Sequence, residues 1–134
     1  SPFDEQAQSK LLTLLSPDYI DGLSLLGGEP FEPDNQRALV PFLKKVRAQY
    51  PGKTIWCYTG YDFEKDVLDK MYYQWDFTHK FLSYLDVLVD GEFVEEKKVL
   101  DLRFRGSTNQ RILDVPKSLI AKKAVLWDEK GRYF

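Results

Sequence analysis

The sequence predicts an α/β protein built on a parallel sheet with crossover helices. Short apolar runs of strand length, "LSLL", "TIWCY" and "LDVLV", alternate with longer segments whose apolar residues recur at helical spacing. The runs are nearly continuous, as expected for strands covered on both faces. Small or acidic residues follow them, which is typical of ligand-binding strand ends. The predicted order is α-β-α-β-α-β, then an irregular basic and polar segment, then a final strand.

The first two helices are predicted from their starting residues. Asp4 is a capping residue before the first helical face, and Pro17 closes that segment. Pro33 opens the second helix, whose apolar face runs to Tyr50. Pro41 lies inside that pattern and removes a hydrogen bond, so we expect a kink or a late start.

The third helix is predicted from about Asp62, because Phe63, Val67, Met71 and Trp75 recur every four residues. The strands are predicted over Leu23 to Leu26, Thr54 to Tyr58 and Leu85 to Val89, with the last one in "KKAVLWDEKGRYF" and a turn at Glu129 to Gly131.

Length and composition indicate one globular domain over residues 1–134, with 43% hydrophobic and 30% charged residues. A formal charge of -2 argues against nucleic acid or an anionic membrane as partner. No apolar run approaches the roughly 20 residues of a membrane span. Cys57 is the only cysteine, which excludes an internal disulfide and predicts a reducing, cytoplasmic compartment.

The ends of the predicted strands carry the candidate site: Gly27-Gly28-Glu29, Thr59-Gly60-Tyr61 and Asp90-Gly91. Parallel strands place such ends along one edge of the sheet. Paired glycines let a ligand approach bare peptide groups, and Glu29 suits an ammonium group or a hydroxyl. A tight turn leading into Pro30 is the alternative, and the residues alone leave both open.

Other kinds of site find less support. The chain has no G-x-x-x-x-G-K-[ST] phosphate loop and no G-x-G-x-x-G. Cys57 is expected to be a buried, inert thiol, and His79 to serve surface or helix packing. One cysteine and one histidine cannot assemble a structural zinc site or a cysteine-ligated cluster within this chain. Arg103, Arg105 and Arg111 surround "GSTNQ", which is equally suited to hold a carboxylate or ribose or to be a solvated loop.

Four stretches taken together resemble a known family. "GLSLLGGEPFEPDN", "GKTIWCYTGY", "LDVLVDGEF" and "LRFRGSTNQRILDV", from about Gly22 to Val115, are similar to the anaerobic ribonucleoside-triphosphate reductase activating proteins of the radical S-adenosylmethionine superfamily. The resemblance implies a partial β/α barrel. It also implies a 4Fe-4S cluster held by a C-x3-C-x2-C loop after the first strand.

In that family an electron from the cluster cleaves S-adenosylmethionine, and the resulting radical leaves a glycyl radical on the anaerobic reductase. The implied partners are therefore this reductase and an unidentified electron donor. The Gly-Gly-Glu segment would contact the amino group of the methionine moiety. The resemblance thus assigns cofactor or partner contacts to Gly27, Gly28, Glu29, Thr59, Tyr61, Asp90, Arg105, Ser107 and Asn109.

The sequence departs from the family at the cluster motif, because none of its three cysteines is present and Cys57 lies on the wrong strand. A strand is also expected before the first helix. We therefore interpret the chain as the C-terminal part of a radical S-adenosylmethionine core that is inactive alone. Its exposed sheet edge leaves both a monomer and a dimer open. A non-radical nucleotide-binding domain and a protein-docking domain are the alternative functions.

Overall fold

The structure is a computed structural model that describes residues 4–26, 28–92, 94, 107 and 109–128. Its helices and strands alternate up to β3. They are α1 (Glu5–Leu14), β1 (Gly22–Leu25), α2 (Pro33–Gln49), β2 (Thr54–Tyr58), a π-helix (Phe63–Met71), α3 (Tyr72–Gln74), α4 (Asp76–Ser83), β3 (Val87–Asp90), β4 (Arg111–Asp114) and α5 (Val115–Ala121). No helix among the described residues is long and apolar enough to cross a bilayer.

The four strands form one open sheet in the order β1-β2-β3-β4. β1 pairs in parallel with β2 from Gly22↔Thr54 to Leu25↔Cys57, and β2 pairs in parallel with β3. β4 pairs antiparallel to β3, so the prediction of a parallel sheet holds for the first three strands only. The sequence from 91 to 110 has no helical periodicity, so it does not predict the crossover helix that a parallel partner for β3 would need.

The last part of the chain differs from the prediction. α5 follows β4 directly, with Asp114 accepting a hydrogen bond from the Lys117 N–H at its N-terminus and Pro116 in its first turn. Where the last strand was predicted, the described residues form an isolated bridge between Leu126 and Leu113. The expected turn at residues 129–131 lies outside the described residues.

The helix starts agree with the prediction, with one correction. Asp4 caps α1 by accepting from the Ala7 N–H. α2 runs without interruption from Pro33 to Gln49, so the late start expected from Pro41 is wrong. Its buried face is formed by Gln36, Phe42, Leu43 and Val46. Pro41 is exposed, where its missing N–H costs least.

The third predicted helix begins at Asp62 as expected, but it is a π-helix that accounts for only part of the apolar repeat. The Val67 N–H donates to the Asp62 carbonyl five residues earlier, as a π-helix requires. Trp75 is extended, with φ -135° and ψ 128°, and separates α3 from α4. The spacing of four from Phe63 to Trp75 therefore does not mark a single helix.

One apolar core joins the sheet to the helices. Its buried strand residues are Leu25, Ile55, Cys57, Leu88 and Leu113, and its helix residues include Phe42, Leu43, Val46, Phe63, Val67 and Phe81. The alternate strand positions face the other way, and there Trp56 packs edge-to-face on Trp127 at 5.0 Å between ring centroids. The core fixes the strands so that the ends of β1, β2 and β3 meet at one edge.

Candidate functional site

The ends of β1, β2 and β3 enclose an open cavity of ≈ 270 Å³. Gly28 and Glu29 line it from the end of β1, Thr59 and Gly60 from the end of β2, and Gly91 from the end of β3. The prediction that the three strand ends lie along one edge is therefore confirmed for these residues. Gly27 lies outside the described residues.

The segment after β1 turns through left-handed backbone at two successive residues. Gly28 has φ 49°, and Glu29 has φ 36°, which is uncommon for a residue with a side chain. Asn35, in the first turn of α2, stabilises this turn: its Nδ2 donates to the Gly28 carbonyl at 2.6 Å and to the Glu29 carbonyl at 3.0 Å. A Cβ placed on Gly28 would meet no atom within 4 Å, so this residue faces open space.

The Glu29 carboxylate bridges the ends of β1 and β2. Its Oε1 accepts from the Gly60 N–H at 2.7 Å, and its Oε2 accepts from the Thr59 hydroxyl at 2.7 Å. The same Oε2 accepts from the Phe31 N–H at 2.9 Å. Charge-assisted bonds of this kind are stronger than neutral ones. The acid that sequence reasoning assigned to a ligand is therefore already bonded within the protein.

Two buried polar side chains, one on α2 and one on α4, support the turn that follows β1. Gln36 on α2 donates from Nε2 to the Phe31 carbonyl at 2.7 Å and accepts from the Thr78 hydroxyl at 2.7 Å. Both side chains are fully buried, and so is Phe31. Buried polar groups that are fully paired hold one arrangement. The turn after β1 is thus anchored to both α2 and α4, a feature that the sequence did not signal.

Tyr61 links the ends of β2 and β3 to the segment after β1. Its N–H donates to the Thr59 hydroxyl oxygen at 3.1 Å, and its carbonyl accepts from the Gly91 N–H at 3.0 Å. Its phenol donates to Glu32, and this bond to a carboxylate, followed by burial, raises the pKa of Tyr61 to about 12. Tyr61 therefore holds the three strand ends together.

Asp90 lies at the end of β3 but does not line the cavity; Gly91 does. Asp90 is 1% exposed and forms two hydrogen bonds to Arg111 on β4, at 3.0 Å and 2.6 Å. It also accepts from the Phe63 N–H at 2.8 Å. Arg111 reaches Glu64 at 2.8 Å as well, and these carboxylate partners raise the pKa of its guanidinium despite partial burial. The Asp90 carboxylate is therefore bonded to Arg111, while the neighbouring Gly91 lines the cavity.

Ser107 and Asn109 bond to each other and to the chain that follows β3. The Ser107 hydroxyl is buried and donates to Asn109 Oδ1 at 2.6 Å, while Asn109 Nδ2 donates to the Glu92 carbonyl at 2.7 Å. Gln110 donates to the Gly91 carbonyl at 3.0 Å and lines the cavity. Sequence reasoning missed Gln110, although it belongs to the donor-rich "GSTNQ". Arg103 and Arg105 lie outside the described residues.

The described residues contain no group of three or more His, Cys, Asp or Glu side chains placed to hold a metal ion. Cys57 is buried in the middle of β2, and burial, with a smaller effect of the Glu29 charge, raises the pKa of its thiol well above the ordinary value. His79 stacks on Tyr72 at 3.7 Å between ring centroids, and its Nε2 lies 2.7 Å from the Tyr72 carbonyl. The expected packing roles of Cys57 and His79 are confirmed.

Comparison with known proteins identifies close similarity to one family. Residues 1–113 match a family model described as a 4Fe-4S single cluster domain. The anaerobic ribonucleoside-triphosphate reductase-activating protein of Pasteurella multocida is 39% identical over 113 residues, which cover 83% of this chain and 68% of that protein. The proteins of the same name from Haemophilus influenzae and Escherichia coli K12 are 38% and 33% identical, with 82% and 81% of this chain and 67% of each relative covered. No solved structure matches the chain.

Proposed function

Because the chain belongs to the family of anaerobic ribonucleoside-triphosphate reductase-activating proteins, we propose that its strand-end cavity binds the methionine end of S-adenosylmethionine. The full-length activase would use this cofactor to generate a glycyl radical on the anaerobic reductase. The observation that carries the proposal is the open Gly28 rim, where a ligand meets peptide groups with no side chain in between.

The chemistry of the rim suits the ammonium group of an amino acid. The Gly28 carbonyl accepts one hydrogen bond from Asn35, and a carbonyl oxygen has a second lone pair to offer. The Glu29 carboxylate adds a negative charge at the same cavity. An ammonium donor at Gly28 would thus be bonded by a carbonyl and attracted by a carboxylate. These features support binding at Gly28, with the charge of Glu29 and the side chain of Thr59 nearby.

The other proposed contacts differ in what supports them. Tyr61 stands between the three strand ends, and Ser107 and Asn109 border Gly91 through their hydrogen bonds to the chain after β3. Asp90 would act through Arg111, with which its oxygens are paired. For Gly27 and Arg105 the proposal rests on the match to the family's sequence pattern alone.

The residues of this chain do not fit a 4Fe-4S cluster. Such clusters are held by several cysteine thiolates, and the chain has one cysteine, buried in β2 with its pKa raised. We therefore assign no step to a cluster here. In our proposal the cluster, the electron donor and the reductase act with the full-length activase, and this chain contributes the single domain that orients the methionine end.

We also propose that the open sheet is part of a partial β/α barrel. β1 is an edge strand of the described sheet, and beside it runs an apolar groove of ≈ 510 Å³ lined by Leu11, Leu25, Leu39 and Phe42, among others. A further parallel strand joined through α1 by a right-handed crossover would pair with β1 and fill this groove. The apolar lining and the free edge support that arrangement.

The proposal predicts weak binding of S-adenosylmethionine that depends on its amino-acid end. Without the iron that would chelate the amino and carboxylate groups, we expect a millimolar dissociation constant, about -4 kcal/mol. Titration into the ¹⁵N-labelled chain should shift the amide signals of Gly28, Thr59 and Gly60. The matched control ligand is 5'-methylthioadenosine, which lacks the amino-acid end and should leave these signals in place.

A variant separates the rim from the rest of the cavity. Gly28→Val would place a branched side chain in the space proposed for the cofactor and should abolish the shifts, whereas Gly52→Val, in open space on the loop before β2, should preserve them. Equal shifts with both ligands, no shift at the rim, or binding by Gly28→Val would each contradict the proposed site. A micromolar dissociation constant for S-adenosylmethionine would contradict the expectation that tight binding needs iron to chelate its amino and carboxylate groups.

A further inference from the structure

We propose that Glu29 is a positioning residue, which clamps the ends of β1 and β2 together and acts on a ligand through Thr59 and Gly60. The inference concerns the cavity described above, and its ligand-binding part rests on the proposed function. The clamp itself is a property of the chain and can be tested without any ligand.

Among the described residues, the backbone pairing of β1 with β2 ends before the cavity. The last residue pair between these strands is Leu25↔Cys57, and both Glu29 and Thr59 lie beyond it. There the Thr59 N–H donates to Val89 on β3 at 2.9 Å, so the backbone ties the end of β2 away from β1. In the described part of the chain, the Glu29 side chain joins the two strand ends beyond this last pair, through the Thr59 hydroxyl and the Gly60 N–H.

The carboxylate has little capacity left for a ligand. Two oxygens offer about four acceptor positions, and three are taken by Thr59, Gly60 and Phe31 at 2.7, 2.7 and 2.9 Å. Phe31 is buried and Thr59 is 4% exposed, so two of the three donors to the carboxylate belong to buried residues. Directing the carboxylate at a ligand instead would break bonds that hold the cavity wall.

The backbone of Glu29 is fixed independently of its side chain. Its carbonyl accepts from Asn35 Nδ2 at 3.0 Å and from the Glu32 N–H at 3.1 Å, which hold the residue at φ 36°. A non-glycine residue in this conformation is retained when the surroundings over-determine it. Asn35 on α2 holds the backbone of Glu29, and the residues after β2 hold its side chain. Glu29 therefore fixes the distance between Gly28 and Thr59.

The clamp is tested first by hydrogen exchange of the chain without ligand. Glu29→Gln keeps the shape of the side chain but leaves one acceptor oxygen. We expect that oxygen to replace Oε2, which accepts two bonds, so that the NH₂ group faces the Gly60 N–H. The Gly60 amide should then exchange at least about ten times faster, because it has lost its acceptor. The matched control is Asp34→Asn, an exposed acid in the first turn of α2 with the same change of charge, which should leave Gly60 unchanged. Unchanged Gly60 exchange in Glu29→Gln would overturn the clamp.

A double-mutant cycle then separates positioning from direct contact. Thr59→Val removes the hydroxyl that Glu29 holds, and Thr59→Ser restores it. If Glu29 acts through Thr59, the double variant Glu29→Gln/Thr59→Val should lose as much affinity for S-adenosylmethionine as Glu29→Gln alone. The single variant Thr59→Ser should bind the cofactor as the parent chain does. Losses that multiply across the two substitutions would show that Glu29 and Thr59 contribute independently, and would overturn the positioning role. If the parent binds no cofactor, the proposed function fails while the exchange result still decides the clamp.

Discussion

The ends of β1 and β3 each place a carboxylate beside a glycine, yet the two carboxylates have different partners. Glu29, after Gly28, is half-buried and accepts bonds from a hydroxyl and two backbone N–H groups. Asp90, before Gly91, is 1% exposed and is paired with the Arg111 guanidinium. Gly28 borders open space, whereas the Asp90 carboxylate is held in an ion pair and does not line the cavity.

The comparison shows that an acid at a strand end does not by itself identify a ligand group. What decides its role is the donor that reaches it. For Asp90 that donor comes from a strand 21 residues later in the chain. For Glu29 two of the three donors come from the neighbouring strand end and one from Phe31 on the same segment, and they leave the glycine rim uncovered.

The largest effect expected from this comparison is on the stability of the β3 end. Asp90→Asn leaves Arg111 without its closest carboxylate and places an amide beside it. We expect a loss of about 3 kcal/mol in the free energy of unfolding, the low end for breaking a buried pair, because Arg111 is one third exposed. The control is Glu64→Gln, which removes a more exposed partner of Arg111 and should cost below about 1 kcal/mol. Equal losses in urea denaturation would contradict the assignment of Asp90 as the principal partner.

A smaller effect is expected at the two glycines, which both have positive φ. Gly91 has φ 99°, and a Cβ there would lie 3.7 Å from Asn109 and Gln110, whereas Gly28 has φ 49° and open space around it. Gly91→Ala should therefore cost about 2 kcal/mol, and Gly28→Ala about 1 kcal/mol. Urea denaturation of the two variants gives the ranking. A greater loss for Gly28→Ala would mean that the β1 end is packed and not open.

The sequence was sufficient to predict the parts of the fold that depend on local pattern. Thr54 to Tyr58 is a strand with the bounds predicted, and Asp4, Pro33 and Asp62 begin helices as expected. These predictions succeed because capping residues and continuous apolar runs act over a few neighbours.

The remaining features depend on contacts between distant residues. The antiparallel pairing of β4 joins residues that lie far apart in the chain, from Asp90↔Arg111 to Val87↔Asp114. The last helix, α5, is only seven residues long, too short for a clear helical period. At the site, the glycine rim could be predicted, but the partners of Asp90 and Glu29 could not, because Arg111 and Thr59 approach them only in the folded sheet.

The smallest expected effect concerns Tyr61, which connects the segment after β1 to the ends of β2 and β3. Its pKa of about 12 lies above the ordinary 10.0, chiefly because the phenol donates to Glu32 on the segment after β1. A raised pKa means that folding favours the neutral phenol, so this stabilisation is complete below about pH 10 and is lost as the pH rises through about 12. In Glu32→Gln the charge is gone, and the Tyr61 pKa should move down toward 10.0.

Titration of ¹³C-labelled tyrosine side chains by NMR measures this shift, and Tyr58 provides the internal control. Its pKa is raised by burial and not by Glu32, so it should titrate alike in both proteins. If the Tyr61 pKa stayed near 12 in Glu32→Gln, burial and not the carboxylate would hold its proton. The segment after β1 would then be joined to the end of β2 by Glu29 without help from Tyr61, and the clamp would be the principal link between the open end and the rest of the sheet.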